Sequence, residues 1–147
     1  MRLARLVAAG FGSGFVPGAP GTAGALLGVL LGIPLLMAPP GVLALATMVV
    51  SLLGLWAIRA ARIDGDPGWV VIDEIAGQMI PMLALTQLSI PGVLLCFALF
   101  RLFDIWKPGP VGWADKRHDE FGVMGDDIIA GALAWVIVLA LHLVSPW

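Results

Sequence analysis

The sequence predicts an all-α, polytopic membrane helical bundle of about five transmembrane helices with a short N-terminal interfacial helix. The chain has 147 residues, of which 60% are hydrophobic and only 12% are charged. A soluble domain usually carries about 25% charged residues. Three segments, 23–58, 75–100 and 128–147, contain no Asp, Glu, Lys or Arg. Since a crossing helix needs about 20 apolar residues, these segments leave room for five crossings, two of which are short.

Turn residues set the boundaries of the predicted helices. Pro39-Pro40-Gly41 divides the first uncharged segment into two crossings, and Ser89-Ile90-Pro91-Gly92 divides the second. The third segment holds one crossing. Residues 3–9 form the predicted interfacial helix, and a loop rich in glycine and proline follows it. The five predicted crossings are helices over 22–38, 41–60, 71–88, 91–106 and 127–145.

The basic residues predict the orientation of these crossings. With five crossings, all eight Lys and Arg side chains fall at one end of the bundle, whereas the two turns at the other end carry none. An excess of Lys and Arg marks the cytoplasmic side of a membrane protein. We therefore expect a multi-pass protein whose N-terminus and charged end face the cytoplasm.

Composition also excludes several classes of protein. The net charge of −2 leaves no basic surface for a polyanion, so we expect no nucleic-acid partner. A single cysteine, Cys96, excludes a disulfide framework and a cysteine-based zinc site. Of the two histidines, His142 falls near the outer end, so a histidine-dependent lipid phosphatase would lack its pair of inner histidines. The sequence shows no internal repeat, and we expect residues 1–147 to form a single integral membrane domain.

The ten acidic residues all fall at the end of the bundle that holds the basic residues. Loops collect charges because the membrane core excludes them, and this explanation suits Asp64, Asp66, Asp119 and Glu120. Other acids lie in apolar runs or directly at the start of a predicted helix. Ionisable groups in such places are costly and are kept where they line a cavity or contact one another. The resulting candidates are Asp73, Glu74, Asp104, Asp126 and Asp127.

These candidates predict a metal site. Arg101, Asp104 and Lys107 recur at intervals of three residues, so they share one face of a helix that ends before Pro108. If three helix ends converge, five carboxylates and two cations share one pocket, where the acids cannot all stay ionised without a metal ion or shifted pKa values. Oxygen ligands without cysteine favour a hard cation, so we expect Mg²⁺ as the cofactor. Salt bridges between helices are the alternative, although two cations are too few to neutralise five acids.

The segment 10–24 is a second unusual feature, since it holds six glycines and two prolines directly before the first crossing. Exposed backbone amides with a helix dipole behind them bind anions such as phosphate, although a plain turn would have a similar composition. Thr22 is placed to cap the helix or to face a ligand. We therefore predict Gly18, Gly21 and Thr22 as substrate-binding residues. An acidic metal site beside an anion-binding loop favours phosphoryl transfer or phosphate hydrolysis.

Four segments carry a resemblance to a known family. They are Gly12-Ser13-Gly14 with Pro17 and Pro20-Gly21-Thr22, Asp73-Glu74 with Gly77, Phe100 to Pro108, and Gly122 to Asp127 with Ala130-Gly131. Over nearly the whole chain, the sequence resembles the phosphatidylglycerophosphatase A family. Similar proteins tend to have a glycine pair where this chain has Asp119-Glu120.

The resemblance implies a Mg²⁺-dependent phosphoric monoester hydrolase of the bacterial inner membrane, acting in phospholipid and cardiolipin biosynthesis. It would hydrolyse phosphatidylglycerophosphate to phosphatidylglycerol and phosphate at the cytoplasmic face, with the phospholipid substrate and membrane lipid as its partners. On this hypothesis the metal ligands are Asp73, Glu74, Asp104, Asp126 and Asp127, and Arg101 and Lys107 bind the phosphate. Asp73, Asp104, Asp127, Lys107 and Arg101 are then the catalytic candidates. A small membrane transporter, or a structural subunit with an acidic cluster at its helix ends, is the alternative.

Overall fold

The structure, a computed structural model, describes all residues from Met1 to Trp147 and contains α-helices, one 3₁₀ segment and no strand. The predicted all-α class is therefore confirmed. The 3₁₀ segment spans Gly10–Phe15. The helices are α1 (Arg2–Ala8), α2 (Pro20–Leu36), α3 (Val42–Ala60), α4 (Ile72–Met82), α5 (Ile90–Trp106), α6 (Pro110–Asp115) and α7 (Glu120–Val144).

Two of these helices, α3 and α7, are long and apolar enough to cross a membrane. The apolar helix α2 has 17 residues, as does α5. Helix α4 has only 11 residues, which is about 16 Å of helix against a hydrocarbon thickness of about 30 Å. The five predicted helices are thus present as α2, α3, α4, α5 and α7, whereas five membrane crossings stay a prediction.

Two boundaries differ from the prediction because local hydrogen bonds, rather than the loss of charge, set them. Helix α4 ends at Met82 instead of residue 88, since the next three N–H groups turn back to carbonyls three residues earlier. Helix α7 begins at Glu120 instead of residue 127. The Gly122 N–H donates a hydrogen bond of 2.9 Å to the side chain of Asp119, which caps the helix. The acids at 126 and 127 therefore lie within α7 and not at its first residue.

Helix α4 lies at the centre of the bundle, where α2, α3, α5 and α7 pack against it. Glycines allow the neighbouring backbones to approach it. A Cβ added to Gly28 of α2 would lie 2.9 Å from the carbonyl oxygen of Ile75. A Cβ added to Gly131 of α7 would lie 2.3 Å from the carbonyl oxygen of Gly77. Helices α4 and α7 therefore cross in direct backbone contact, which we call the Gly77–Gly131 crossing.

The N-terminal segment supports the start of α4. Helix α1 packs against α3, and the Val71 N–H, directly before α4, donates a hydrogen bond of 2.9 Å to the carbonyl of Ala8. The 3₁₀ segment approaches the same loop so closely that a Cβ on Gly14 would lie 1.9 Å from the carbonyl oxygen of Trp69. The helix predicted for residues 3–9 is confirmed to within one residue at each end, and its interfacial position stays a prediction.

The two ends of the bundle differ in polarity. At one end the Gly65 N–H donates to the carbonyl of His118, which joins the loop before α4 to the loop before α7. At the other end Thr86 Oγ1 lies 3.0 Å from His142 Nε2, which joins the turn after α4 to the last part of α7. All the acidic residues lie at the first end, which we call the charged end.

Candidate metal and phosphate site

Three helices bring carboxyl groups together at the charged end. The first turn of α4, the last turn of α5 and the second turn of α7 supply Asp73, Glu74, Asp104, Asp126 and Asp127. The Gly77–Gly131 crossing lies about one helical turn from Asp73 and from Asp127. Because the two backbones touch there, these two carboxyls are held close to each other.

Asp73, Glu74 and Asp127 form a group that we call the unpaired triad. Each offers one carboxylate oxygen, and the three oxygens lie within 4.8 Å of one another. Asp73 and Asp127 are only 3% and 2% exposed. One oxygen of each acid (Asp73 Oδ1, Glu74 Oε2 and Asp127 Oδ2) is buried and has no hydrogen-bond partner. No Lys or Arg nitrogen lies within 4.0 Å of a carboxylate oxygen of these three acids.

The unpaired triad fits a divalent cation. Buried charges are strongly destabilising unless they are paired or bind a metal. The start of α4 offsets part of this cost, because its helix dipole favours acids in the first turn, such as Asp73 and Glu74. The three oxygens lie close enough together for all of them to contact one ion. The donor set of three carboxylates with no sulfur or nitrogen is that of a hard cation.

Asp66, Asp115 and Asp126 form a second group, which we call the lysine-bound triad. Its three oxygens also lie within 4.8 Å of one another. Here a cation is present, because Lys107 Nζ lies 2.7 Å from Asp126 Oδ2 and 3.0 Å from Asp115 Oδ1. Partial burial would lower the pKa of Lys107, but its hydrogen bonds to Asp126 and Asp115 outweigh this effect and raise it. Lys107 therefore remains an ammonium ion at any physiological pH.

The backbone around Lys107 directs the chain back to this group. Lys107 ends α5 in the left-handed conformation, with φ 53° and ψ 55°. Pro108-Gly109-Pro110 then reverses the chain, and Gly109 also has a positive φ of 46°. A Cβ on Gly112 would lie 2.8 Å from the Lys107 carbonyl oxygen, so α6 folds directly over the end of α5. This reversal carries Asp115 to the lysine.

Arg101 and Gly21 lie beside Glu74 of the unpaired triad. Arg101 forms a salt bridge with Asp104, one turn along α5. Asp104 also faces Lys107, whose Nζ lies 4.0 Å from its Oδ1. A Cβ on Gly21, in the first turn of α2, would lie 2.7 Å from Glu74 Oε1 and 3.3 Å from an Arg101 nitrogen. The start of α2 therefore contacts both a triad acid and a cation.

The structure changes the predicted site in three ways. The single pocket of five acids is divided, with Asp126 in the lysine-bound triad and Asp104 paired with Arg101. Thr22 does not cap α2, since the helix begins two residues earlier, at Pro20, and Ala19 precedes it without a side-chain cap. Gly18 has a φ of 81° and faces open space in an exposed loop.

Sequence reasoning missed Asp66 and Asp115. The sequence predicts a solvated loop acid at Asp66 and no role for Asp115, yet both lie beside Lys107 or its partner Asp126. The one sequence signal for Asp115 is the Pro-Gly-Pro reversal after Lys107. No pattern around Asp66 indicates that its loop folds onto the end of α5.

Gln78 is a further polar residue that the sequence did not single out. It is fully buried, and neither its Oε1 nor its Nε2 has a hydrogen-bond partner. It lies four residues after Glu74, so it is one turn deeper on the same face of α4. The apolar interior of the bundle therefore contains a buried polar side chain one turn below the unpaired triad.

The Asp119-Glu120 pair has a structural role. Asp119 caps α7 and accepts two hydrogen bonds from Arg117, at 2.6 and 3.2 Å. The bond to Arg117 and the bond from the Gly122 N–H lower the pKa of Asp119 to about 2. Glu120 lies 3.7 Å from Arg59 at the end of α3. Of these contacts, only the Arg59–Glu120 pair joins the charged ends of α3 and α7.

Comparisons with known proteins place the chain among lipid phosphatases. A family model described as phosphatidylglycerophosphatase A matches residues 6–142. A phosphatidylglycerophosphatase A of Haemophilus influenzae is 39% identical over 142 residues, which cover 93% of this chain and 87% of the relative. The phosphatidylglycerophosphatase A of Escherichia coli is 35% identical over 133 residues, covering 88% and 77%.

A third relative has a different name. A protein of Bacteroides thetaiotaomicron with the provisional name phosphatidylinositol-3-phosphatase is 40% identical over 144 residues, covering 90% of this chain and 89% of the relative. No solved structure matches the chain.

Proposed function

The chain belongs to the phosphatidylglycerophosphatase A family and is a phosphatidylglycerophosphate phosphatase, and we propose that its reaction depends on Mg²⁺ and takes place at the charged end. The observation that supports this proposal best is the unpaired triad, with three buried carboxylate oxygens that have no partner. Bound there, Mg²⁺ would offset most of the negative charge of these acids and lower the pKa of a water molecule.

The cations beside the triad are suited to the phosphate of the substrate. Arg101 presents a planar fork of donors that matches a phosphate. Lys107 uses two of its three N–H donors on Asp126 and Asp115, which leaves the third for a phosphate oxygen. The backbone N–H groups of Gly21 and Thr22 lie in the first turn of α2, where N–H groups have no helical partner. We assign phosphate binding to these four residues.

The reaction needs a proton acceptor. Water attacks phosphorus, the bond from phosphorus to the glycerol oxygen breaks, and that oxygen takes a proton, so phosphatidylglycerol and phosphate leave. We assign the removal of the proton from water to Asp104, because it lies between Arg101 and Lys107 and belongs to neither triad. The two cations also stabilise the negative charge that develops on the phosphoryl oxygens.

The lipid part of the substrate has a surface beside the site. Leu102, Ile105 and Trp106 on the last turns of α5 are 51%, 70% and 67% exposed. They lie next to Arg101 and Lys107 in sequence but on another face of the helix. We propose that the acyl chains lie along this apolar strip of α5 while the phosphate reaches the cations.

The distribution of charges supports a proposal for the location of the enzyme. All eight basic residues lie in segments that reach the charged end, which supports a cytoplasmic orientation. We propose that residues 1–147 form one multi-pass domain in the bacterial inner membrane, with the site facing the cytoplasm.

Release of inorganic phosphate from phosphatidylglycerophosphate in mixed micelles tests the proposal. We expect release with Mg²⁺, none after chelation by EDTA, and recovery when Mg²⁺ is returned. Full activity in EDTA after extensive dialysis would contradict the metal requirement, while leaving the family assignment intact.

Phosphatidylinositol 3-phosphate is a second candidate substrate, because the name of the Bacteroides thetaiotaomicron relative contains it. Both lipids are phosphomonoesters with two acyl chains. We expect faster release from phosphatidylglycerophosphate at equal mole fractions, and a faster rate with the inositol lipid would reverse this assignment.

A further inference from the structure

We propose that Lys107 takes the place of a second divalent cation, so that the site binds one metal ion and not two. This inference rests on the proposed function, because it assumes that the unpaired triad binds the metal. On this proposal, the cation of the lysine-bound triad is the ammonium group of Lys107 and not a metal ion.

The two triads have the same ligand chemistry, but only one of them has a cation beside it. Each consists of three carboxylates whose oxygens lie within 4.8 Å of one another. In the lysine-bound triad, Lys107 Nζ contacts Asp126 and Asp115 at 2.7 and 3.0 Å. In the unpaired triad, three buried oxygens have no hydrogen-bond partner, and no Lys or Arg nitrogen lies within 4.0 Å of the three acids. Only the unpaired triad therefore lacks a cation.

The backbone of Lys107 supports a dedicated role for its side chain. Left-handed backbone is unfavourable for residues other than glycine, and asparagine is the usual exception. Lys107 adopts this conformation, with φ 53°, at a helix end where glycine is the common choice. The conformation ends α5 and allows α6 to return Asp115 to the ammonium group. A positive charge that the site requires would explain why this helix end has a lysine and not a glycine.

The two cation positions are adjacent along the chain. Asp126 belongs to the lysine-bound triad and Asp127 to the unpaired triad, and the Asp127 N–H donates to Asp126 Oδ1 at 2.9 Å. A metal ion and the ammonium group would therefore face the phosphate from neighbouring positions. In two-metal sites the ions lie about 3.5–4 Å apart and clamp the phosphate between them. Here the lysine would supply the second positive charge.

Counting bound metal ions tests this inference directly. The full-length protein in detergent micelles is titrated with Mn²⁺, and the free ion is measured by electron paramagnetic resonance. We expect one Mn²⁺ per chain for the natural protein. Lys107→Met should expose the lysine-bound triad and raise the count to two, whereas the matched control Lys107→Arg keeps the positive charge and should stay at one.

A double variant checks where the extra ion binds. Adding Asp115→Asn to Lys107→Met should return the count to one, because it removes a ligand of the lysine-bound triad only. Size-exclusion chromatography verifies that each variant is folded and monodisperse. If Lys107→Met is not folded, the number of Mn²⁺ ions bound to the natural protein tests the inference: one ion supports it and two ions contradict it.

Three results would overturn the inference in distinguishable ways. Two ions bound to the natural protein would show that Lys107 does not exclude a second metal. One ion bound to a folded Lys107→Met would show that the lysine-bound triad is not a cation position. No ion bound to the natural protein would refute the proposed metal site as well.

Discussion

At the scale of single residues, the unpaired triad works against the stability of the metal-free protein. Its acids repel one another, and their buried oxygens lack hydrogen bonds. A buried polar group without a partner costs about 1–3 kcal/mol, and a charged one costs more. The same arrangement favours a cation, since a bound metal ion would reduce the repulsion and supply the missing partners.

Asp127→Asn should therefore separate activity from stability. We expect phosphate release to fall by roughly 100-fold or more, because even indirect partners of a metal ligand change activity 10–100-fold. In EDTA the variant should melt at a higher temperature than the natural protein, since one buried charge is removed. Adding Mg²⁺ should raise the melting temperature of the variant by less than it raises that of the natural protein. Differential scanning fluorimetry in detergent measures both shifts.

Asp64→Asn is the matched control, because Asp64 is an exposed loop acid outside both triads. It should leave the activity and both melting temperatures unchanged. If Asp127→Asn behaves like this control, Asp127 is not a metal ligand.

Asp119 gives a pH-dependent prediction. The hydrogen bonds from Arg117 and the Gly122 N–H lower its pKa to about 2. Because the pKa of the folded state is below the unfolded value, the stabilisation is complete above about pH 4 and is lost as the pH falls through about 2. Asp119→Ala should lower the melting temperature by an amount that is constant between about pH 5 and 8 and shrinks below about pH 4.

Thermal melts of the natural protein and Asp119→Ala across this pH range measure the effect. Asp119→Asn keeps an oxygen that can cap α7, so its loss should be smaller. Phosphate release at neutral pH should be retained by both variants, and equal melting temperatures for all three proteins would show that the cap contributes nothing.

Residue patterns predicted part of the site and missed part of it. Asp73, Glu74 and Asp104 are predictable as site residues because they interrupt apolar runs. Asp66 and Asp115 lie in ordinary charged surroundings, and only the path of two loops brings them to Asp126 and Lys107. The division into two triads likewise depends on distances between different helices and loops, and the spacing of residues within one helix does not predict these distances.

At the scale of helices, the Gly77–Gly131 crossing connects the fold with the site. The carbonyl oxygen of Gly77 occupies the space where a side chain on Gly131 would begin. Any larger residue there must move α4 and α7 apart. Asp73 and Asp127 lie on these two helices, so the separation of the triad oxygens depends on this contact.

Gly131→Ala should therefore reduce both stability and activity. We expect a loss of about 1–3 kcal/mol in the free energy of unfolding, the usual cost of overpacking. Gly125→Ala, six residues earlier in α7, is the matched control, since its added Cβ would meet only Ala114 Cβ at an ordinary 3.8 Å. Denaturant titration and phosphate release measure the two effects, and an equal response of both variants would contradict the role of the crossing.

Helix positions were predicted better than helix lengths. Gaps in charge located α3 and α5 to within one residue at both ends and α2 to within two. The gaps in charge gave the wrong end for α4, because this buried helix ends at the turn after Met82 and not at a charged residue. They failed for the start of α7, where the capping bond of Asp119 extends the helix into charged sequence.

At the scale of the whole molecule, the charges predict how the bundle sits in a membrane. Both turns at the end opposite to the charged end lack Lys and Arg. The cysteines introduced by Pro40→Cys and Ile90→Cys should then react with a membrane-impermeant maleimide added outside the cell. Lys116→Cys, at the charged end, should react only after the membrane is permeabilised.

The natural protein is the control for this labelling, because its only cysteine, Cys96, is fully buried and should not react. Strong labelling of Lys116→Cys in intact cells would place the phosphate site on the outer face and would contradict the proposed orientation.

The apolar strip of α5 has a consequence for the kinetics. Leu102, Ile105 and Trp106 face outward beside the cations, so the substrate should arrive by lateral diffusion within the lipid phase. The rate should then follow the mole fraction of substrate among its neighbouring amphiphiles, a two-dimensional concentration. Extra inert detergent should slow the enzyme at constant total substrate, whereas extra buffer should leave the rate per enzyme molecule unchanged.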